Sequence, residues 1–381
     1  MVLDLVDIDR FGGGEADSIV KGINNIFETG EFKLESNDYK KKLVSITSDG
    51  VSVNFGKYRV IAQIKADRES LLPVHCVNHR VQLAVKEVFS EISKLKKVDE
   101  FYNTNFYLLR NSGKIKQEVI NASAALGTTH YTLPKLTGTR FVGHHIRAFK
   151  NLLESWPVYI VAYENYVNEW KNPITTKAKV QGLLKKFKSY NFLCTVAVYH
   201  DMLELIVPAS KVFVANKLLP HDILATINRT NLELELKLEE IDTDLEFLDS
   251  YVSRYIVIEG KHNLSETMSG QFSKAGDKRK HPSNRKYIIV NLDMTLVDVD
   301  QALCLVRSIK RKVITRLINT LNSRFTSIKE ESEIYHAMWL IDPQNWTDNK
   351  EFGLEEIKFL STHFKTPLEH SNFNEKLVFQ E

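Results

Sequence analysis

Lys42 to Gly50 reads KLVSITSDG, and Leu71 to Ile92 reads LLPVHCVNHRVQLAVKEVFSEI. Each opens on a short apolar run of strand length, and the first ends in Ser48-Asp49-Gly50, a turn signal. The second passes from Leu71–Cys76 directly into Val81, Val85, Val88, Phe89 and Ile92, which fall on one stripe of an amphipathic helix. Upstream, Leu3 to Asp9 (LDLVDID) reads as a strand and Gly12 to Gly14 as a turn. Ile19, Ile23, Ile26 and Phe27 recur at helical spacing until Gly30. A turn through Asn54 and Gly56 leads to Tyr58–Ala66, so the first 95 or so residues alternate strand and helix, the pattern of an α/β layer.

Beyond that point the strand signals fade. Helical periodicity covers about 98–126, 140–170, 174–190, 192–218 and 221–258, which predicts a helical domain. Residues 259–286 are polar and nearly free of large apolar groups, and read as a mobile loop. Tyr287 to Val290 is a short apolar piece, and a helix of about thirty residues is expected from Thr295, with Val299, Leu303, Val306, Val313, Leu317 and Leu321 spaced for burial.

A chain of 381 residues implies two or three domains, and 43% hydrophobic with 10% aromatic residues excludes wholesale disorder. With 51 basic and 48 acidic residues the net charge is +3, so attraction for a polyanion has to come from local patches. Three separated cysteines, Cys76, Cys194 and Cys304, argue against a disulfide framework and for a reducing compartment. No run approaches eighteen apolar residues, and the start MVLDLVDIDRF lacks the basic flank of a signal peptide; no membrane association is expected.

Several groups carry candidate chemistry. Asp49, at the C-terminal end of a strand, stands where open α/β sheets place metals and ligands, although Asp-Gly also serves as a plain turn. His75, Cys76 and His79 form H-C-x-x-H, an incomplete zinc set whose simpler role is structural. The Gly12–Gly14 turn lacks the lysine and third glycine of a phosphate loop. Three acid-free basic patches stand out: Pro134–Lys150 with Lys135, Arg140, Arg147 and Lys150; Lys171–Lys188 with Lys177, Lys179, Lys185 and Lys186 beside Trp170 and Phe187; and Lys278–Lys286. Cations with neighbouring aromatics suit phosphate contacts and base stacking, and a solvated face is the simpler alternative for each. Asn231–Asp249 carries eight acids against Lys237, the composition of a solvated face or of a dock for a basic partner.

Taken in order, these segments resemble the hAT superfamily of DNA transposases, and most closely its animal, zinc-finger-associated, domesticated branch. Ser45–Gly56 (SITSDGVSVNFG) looks like the family's second-aspartate motif. Val74–Lys86 (VHCVNHRVQLAVK) is similar to its C-x-x-H-x-hydrophobic-x-Leu-Ala element, and Thr139-Arg140-Phe141 to its Thr-Arg-Trp element. The resemblance implies an α/β RNase H-like core with a large all-α insertion domain: residues 1–130 as partial core, 131–330 as insertion with the 259–286 loop, and 331–381 as a helical segment returning toward the core.

In that family two aspartates and a glutamate hold two Mg²⁺ ions. Only Asp49 has a counterpart here, as a remnant catalytic carboxylate and weak Mg²⁺ ligand. The first aspartate, the glutamate segment, the dimerisation segment and the zinc finger are not in the chain, which reads as truncated at both ends. The implied function is a catalytically inactive, transposase-derived nucleic-acid-binding protein of the nucleus. It would bind DNA weakly and without sequence preference through Arg140, Phe141, Arg147, Lys150, Lys185 and Lys186, with Cys76 and His79 structural and no cofactor required. A homodimer or chromatin-associated proteins are the other expected partners. The alternatives are a chromatin or SUMO-pathway scaffold without DNA binding, and a fragment of an active DNA transposase.

Overall fold

The computed structural model describes residues 6–29, 33–34, 36–50, 53–54, 58–66, 68, 70–136, 141–215, 218–240, 257–258, 289–290, 296–330, 332–347 and 351–370. The elements are α1 (Ala16–Thr29), α2 (Ser36–Lys42), β1 (Ser45–Ser48), α3 (Val60–Lys65), β2 (Leu72–His75), α4 (Val77–Glu91), α5 (Ser93–Asn111) and α6 (Gly113–Leu126). Then follow α7 (Phe141–Glu154), α8 (Trp156–Asn168), α9 (Ile174–Phe187), α10 (Tyr190–Glu204), α11 (Val207–Val212) and α12 (Pro220–Glu239). After β3 (Val257–Ile258) and β4 (Ile289–Val290) come α13 (Leu296–Arg324), α14 (Thr326–Glu330), α15 (Ser332–Ala337), α16 (Leu354–His363) and α17 (Lys365–His370).

The chain divides into two compact units. One comprises Met1–Val81, Val212–Asn228 and Ser323–Glu381; the other comprises Gln82–Lys211 and Arg229–Asn322. The division at Val81 and Gln82 lies well before the expected boundary near 130, and residues 323–381 share a unit with the N-terminal segment.

In the first unit β1 and β2 pair in parallel, Ser45 opposite Leu72 and Ser48 opposite His75. A small core of Ala16, Val60, Ile64 and Leu71 gathers α1, α3 and the start of β2, with Ile19, Ile23 and Ile46 packed against it. The expected layer of three strands reduces, among the described residues, to this one pair. Ile8–Phe11, whose first half belongs to the LDLVDID run, is a 3₁₀ turn instead of a strand. Asp7 caps it by accepting from the Asp9 amide, and Gly12 closes it at φ 107°, a left-handed conformation that glycine tolerates. Local hydrogen bonding by the aspartates overrides the strand pattern.

The second unit is a helical bundle. The stripe expected on α4 is buried, with Val85, Val88 and Phe89 wholly so. Among the described residues the long helical segments are real but interrupted. Ser112 ends α5 and caps α6 by accepting from the Ile115 amide, and Gly127 ends α6 in the left-handed region. Between α7 and α8 the break falls at Ser155, where Pro157 supplies no N–H and suits only a first turn. Trp156 then fills the centre of the core, its rings 4.7 Å from Phe187 and 6.3 Å from Phe101. Its indole N–H donates to the Phe187 carbonyl at 2.9 Å, satisfying a polar group that burial would otherwise strand. The expected loop at 259–286 lies outside the described residues, as do Arg140, Lys278–Lys286 and the later part of the acidic run. No helix among the described residues is long and apolar enough to cross a membrane.

Candidate nucleic-acid interface

Helix α7 forms because Val142, His145, Ala148, Phe149, Leu152 and Leu153 recur on one face, which is buried. That fixes the opposite face outward, and Arg147 and Lys150 are exposed on it. Phe141 is half-buried and lies flat on the His145 ring at 3.7 Å, with Phe89 edge-on at 6.3 Å. It packs into the bundle as an anchor rather than standing out as a stacking platform.

Helix α9 behaves similarly. Val180, Leu183 and Phe187 are buried, which leaves Lys179 and Lys185 on the surface. Lys186 is also exposed, yet its ammonium sits 5.5 Å from the ring centres of both Phe101 and Phe192, a placement that stabilises the bundle as well as offering charge. Lys188 is tied to Glu164 at 2.6 Å. At the start of this segment Trp170 is 80% exposed and Ile174 85% exposed, and the Lys171 ammonium lies 5.4 Å from the Trp170 ring centre. An aromatic face that open to water, with cations around it, has the make-up of a base-stacking surface.

In the first unit, the parallel pairing brings Asp49 and Cys76 to the same edge, just past the paired Ser48 and His75, and the Cys76 amide donates to the Ser48 carbonyl at 2.7 Å. Asp49 is exposed and accepts from the Asn54 side chain at 2.9 Å. The His75 ring lies over Gly50 so closely that a Cβ there would come within 2.5 Å of Nε2, which explains the glycine after Asp49. Burial holds the His75 pKa down to about 4, helped by Arg80 and His79, with Asp49 acting against them. Cys76 and His79 are half-buried at this junction. Among the described residues no three His, Cys, Asp or Glu side chains gather as a metal site.

Sequence reasoning missed a buried polar cluster in the second unit. The Tyr199 hydroxyl donates to Asp99 at 3.2 Å, and the other Asp99 oxygen lies 3.7 Å from His145 Nε2. His145 Nδ1 is 2.9 Å from the Phe141 carbonyl, which only accepts, so Nδ1 carries the hydrogen and Nε2 presents a lone pair. A carboxylate facing that lone pair needs a proton between them. Burial supplies the bias, pushing Asp99 up to about 7 against the Tyr199 hydrogen bond and holding His145 down to about 4. Glu100 reinforces the first shift, and His144 and Lys86 the second.

This cluster predicts a pH signature. The Asp99 pKa is raised above its ordinary value of 3.8, so folding takes up a proton between about pH 4 and 7 and stability falls as pH rises through that window. Asp99→Asn has no proton to lose, and its amide can accept from Tyr199 while turning its NH₂ toward the His145 lone pair. The advantage of the variant over wild type should grow by about 1–2 kcal/mol between pH 5 and pH 8, as the wild type comes to carry a buried charge. Urea unfolding at the two pH values measures this, and an equal difference at both would refute it. His145 and His200, both held down to about 4 chiefly by burial, destabilise either protein as pH falls below about 6.5.

Comparison with models of known protein families and with solved structures brings no match for this chain.

Proposed function

We propose that this chain is a transposase-derived, hAT-like nucleic-acid-binding module of the nucleus that lacks nuclease activity of its own. In this reading β1, β2 and the helices up to about residue 130 belong to an RNase H-like core, and residues 131–330 correspond to the family's insertion. The observation that carries the proposal is the acid-free segment around α9, where exposed Lys179 and Lys185 follow the exposed Trp170 and its Lys171. Arg147 and Lys150 on α7 add a second outward cationic face. Asp49, exposed and hydrogen-bonded to Asn54, is a remnant carboxylate able to hold Mg²⁺ only weakly, and one carboxylate does not anchor two ions in line with a phosphate.

Duplex and single-stranded oligonucleotides should bind weakly and without sequence preference, with log affinity falling linearly against log salt. Each of Arg147→Ala, Lys179→Ala and Lys185→Ala should lower the slope by about 1. Fluorescence anisotropy at several salt concentrations reads this directly. No binding at low salt, or variants with unchanged slope, would turn the assignment to the second reading, a chromatin or SUMO-pathway scaffold. One feature favours that alternative: an apolar groove of about 580 Å³ in the first unit, walled by Val44, Leu340, Ile341, Ile357 and Phe364.

A further inference from the structure

A cavity of about 270 Å³ in the helical unit lies between the end of α5, the start of α6 and the segment that follows α6. That following segment has no regular structure from Thr128 to Leu136, yet it is held at three points by side chains from α5, α7 and the break between α7 and α8. The Tyr131 amide donates to Ser155 Oγ at 2.8 Å, Asn151 donates to the Thr132 carbonyl at 2.9 Å, and the Tyr102 hydroxyl donates to the Pro134 carbonyl at 2.7 Å. Ser155 and Tyr102 are themselves fully buried, so the wall they hold is built into the fold and the cavity is preformed.

Its lining has two characters. Phe106, Leu109, Val119 and Leu133 give apolar surface, while Arg110, Lys116 and His130 give cationic surface, and no carboxylate lines it. None of those three basic side chains makes an ion pair among the described residues, although Arg110 and Lys116 are exposed and free to move toward a ligand. The remaining feature is Tyr159. It forms part of the wall, is only 1% exposed, and its hydroxyl has no hydrogen-bond partner among the described residues. Burial drives its pKa well above the ordinary value, so the group is a neutral O–H donor at any physiological pH. A neutral hydroxyl in a residue of the cavity wall that makes no hydrogen bond within the described residues is free to donate to a ligand.

We propose that this cavity binds a small amphiphilic organic anion, a carboxylate carried on a compact aromatic or aliphatic body. Arg110 and Lys116 take the carboxylate, the apolar wall takes the body, and Tyr159 donates to an oxygen of the ligand. The site is separate from the exposed cationic faces of α7 and α9, and it requires a pocket-sized ligand rather than a polymer.

The probe is 4-phenylbutyrate, followed by saturation-transfer NMR titration against the full chain, with 4-phenylbutyramide and inorganic phosphate as contrasts. The expected result is saturable binding near the millimolar range typical of so small a ligand. Arg110→Gln should weaken it about tenfold and Tyr159→Phe about threefold, with thermal melting confirming that both variants fold. The neutral amide should bind about tenfold more weakly, and phosphate should not displace the probe. Lack of saturation by 20 mM, equal affinity for the amide, displacement by phosphate, or an unchanged affinity in Arg110→Gln would each overturn the proposal. Should Tyr159→Phe fail to fold, Lys116→Gln, on the exposed rim, carries the same test as Arg110→Gln.

Discussion

Lys310→Met is expected to destabilise the helical unit by about 3–4 kcal/mol, because it removes the cation of a buried ion pair and leaves the Asp201 carboxylate without the ammonium that faces it. Lys310 Nζ lies 3.2 Å from Asp201, and the two side chains are 4% and 16% exposed. α13 and α10 present them to each other inside the same unit. The asymmetry of such pairs makes the expectation specific. A charge already out of water gains nothing by losing its partner, whereas removing both charges relieves the desolvation of each. The double variant Lys310→Met with Asp201→Leu should therefore recover most of the lost stability. Guanidinium unfolding of the wild type, the single variant and the pair would decide it. A single variant within about 0.5 kcal/mol of wild type would show that the pair contributes little.

Trp156→Ala should have an effect of similar size, about 3–5 kcal/mol, from the cavity left behind when a large side chain leaves a packed site. Trp156 has no exposed surface, and Phe101, Phe187 and Phe192 surround its ring. Removal also leaves the Phe187 carbonyl without its indole donor, at the end of α9. Trp156→Phe should restore much of the packing but not the hydrogen bond, and should fall between the two. Thermal or chemical unfolding separates the three proteins. A loss in Trp156→Ala below about 1 kcal/mol would mean that the neighbours collapse into the space.

Periodicity made the helices legible. The stripe of Val81, Val85, Val88 and Phe89 is buried as its spacing required, and α13 runs over the stretch where thirty residues of helix were expected. The helix breaks were less legible, since Ser112 and the Trp156-Pro157 pair interrupt patterns that remain apolar on one face throughout. The strand reading of Leu3–Asp9, whose first residues lie outside the described ones, misled at Ile8 and Asp9 because alternating acids and aliphatics also fit a capped turn, marked here by the hydrogen bond from the Asp9 amide to Asp7. Asp49, Cys76 and the cationic faces were visible because they are features of local sequence. Asp99 with His145, and Arg110 with Tyr159, were not, because each pair meets only after separate helices have packed. No period or motif marks such a meeting; a buried histidine one turn into an apolar stripe looks like any other core position.

The first unit is assembled from three separate stretches of chain, and its last stretch is made only after the whole of the helical unit. Arg80 shows what this entails: it donates to the Arg324 carbonyl at 3.0 Å and lies 5.8 Å from the centre of the Phe325 ring, partners separated from it by 244 residues. On a ribosome adding about 5–20 residues per second, that arginine waits roughly 12–50 seconds for them. Meanwhile Gln82–Lys211, most of the helical unit, has already left the exit tunnel. The N-terminal stretch must therefore wait without the Arg324 carbonyl and the Phe325 ring while the later helices emerge. A chaperone acting during translation has its longest opportunity on this part of the chain, and nicking between the units before release would strand it permanently.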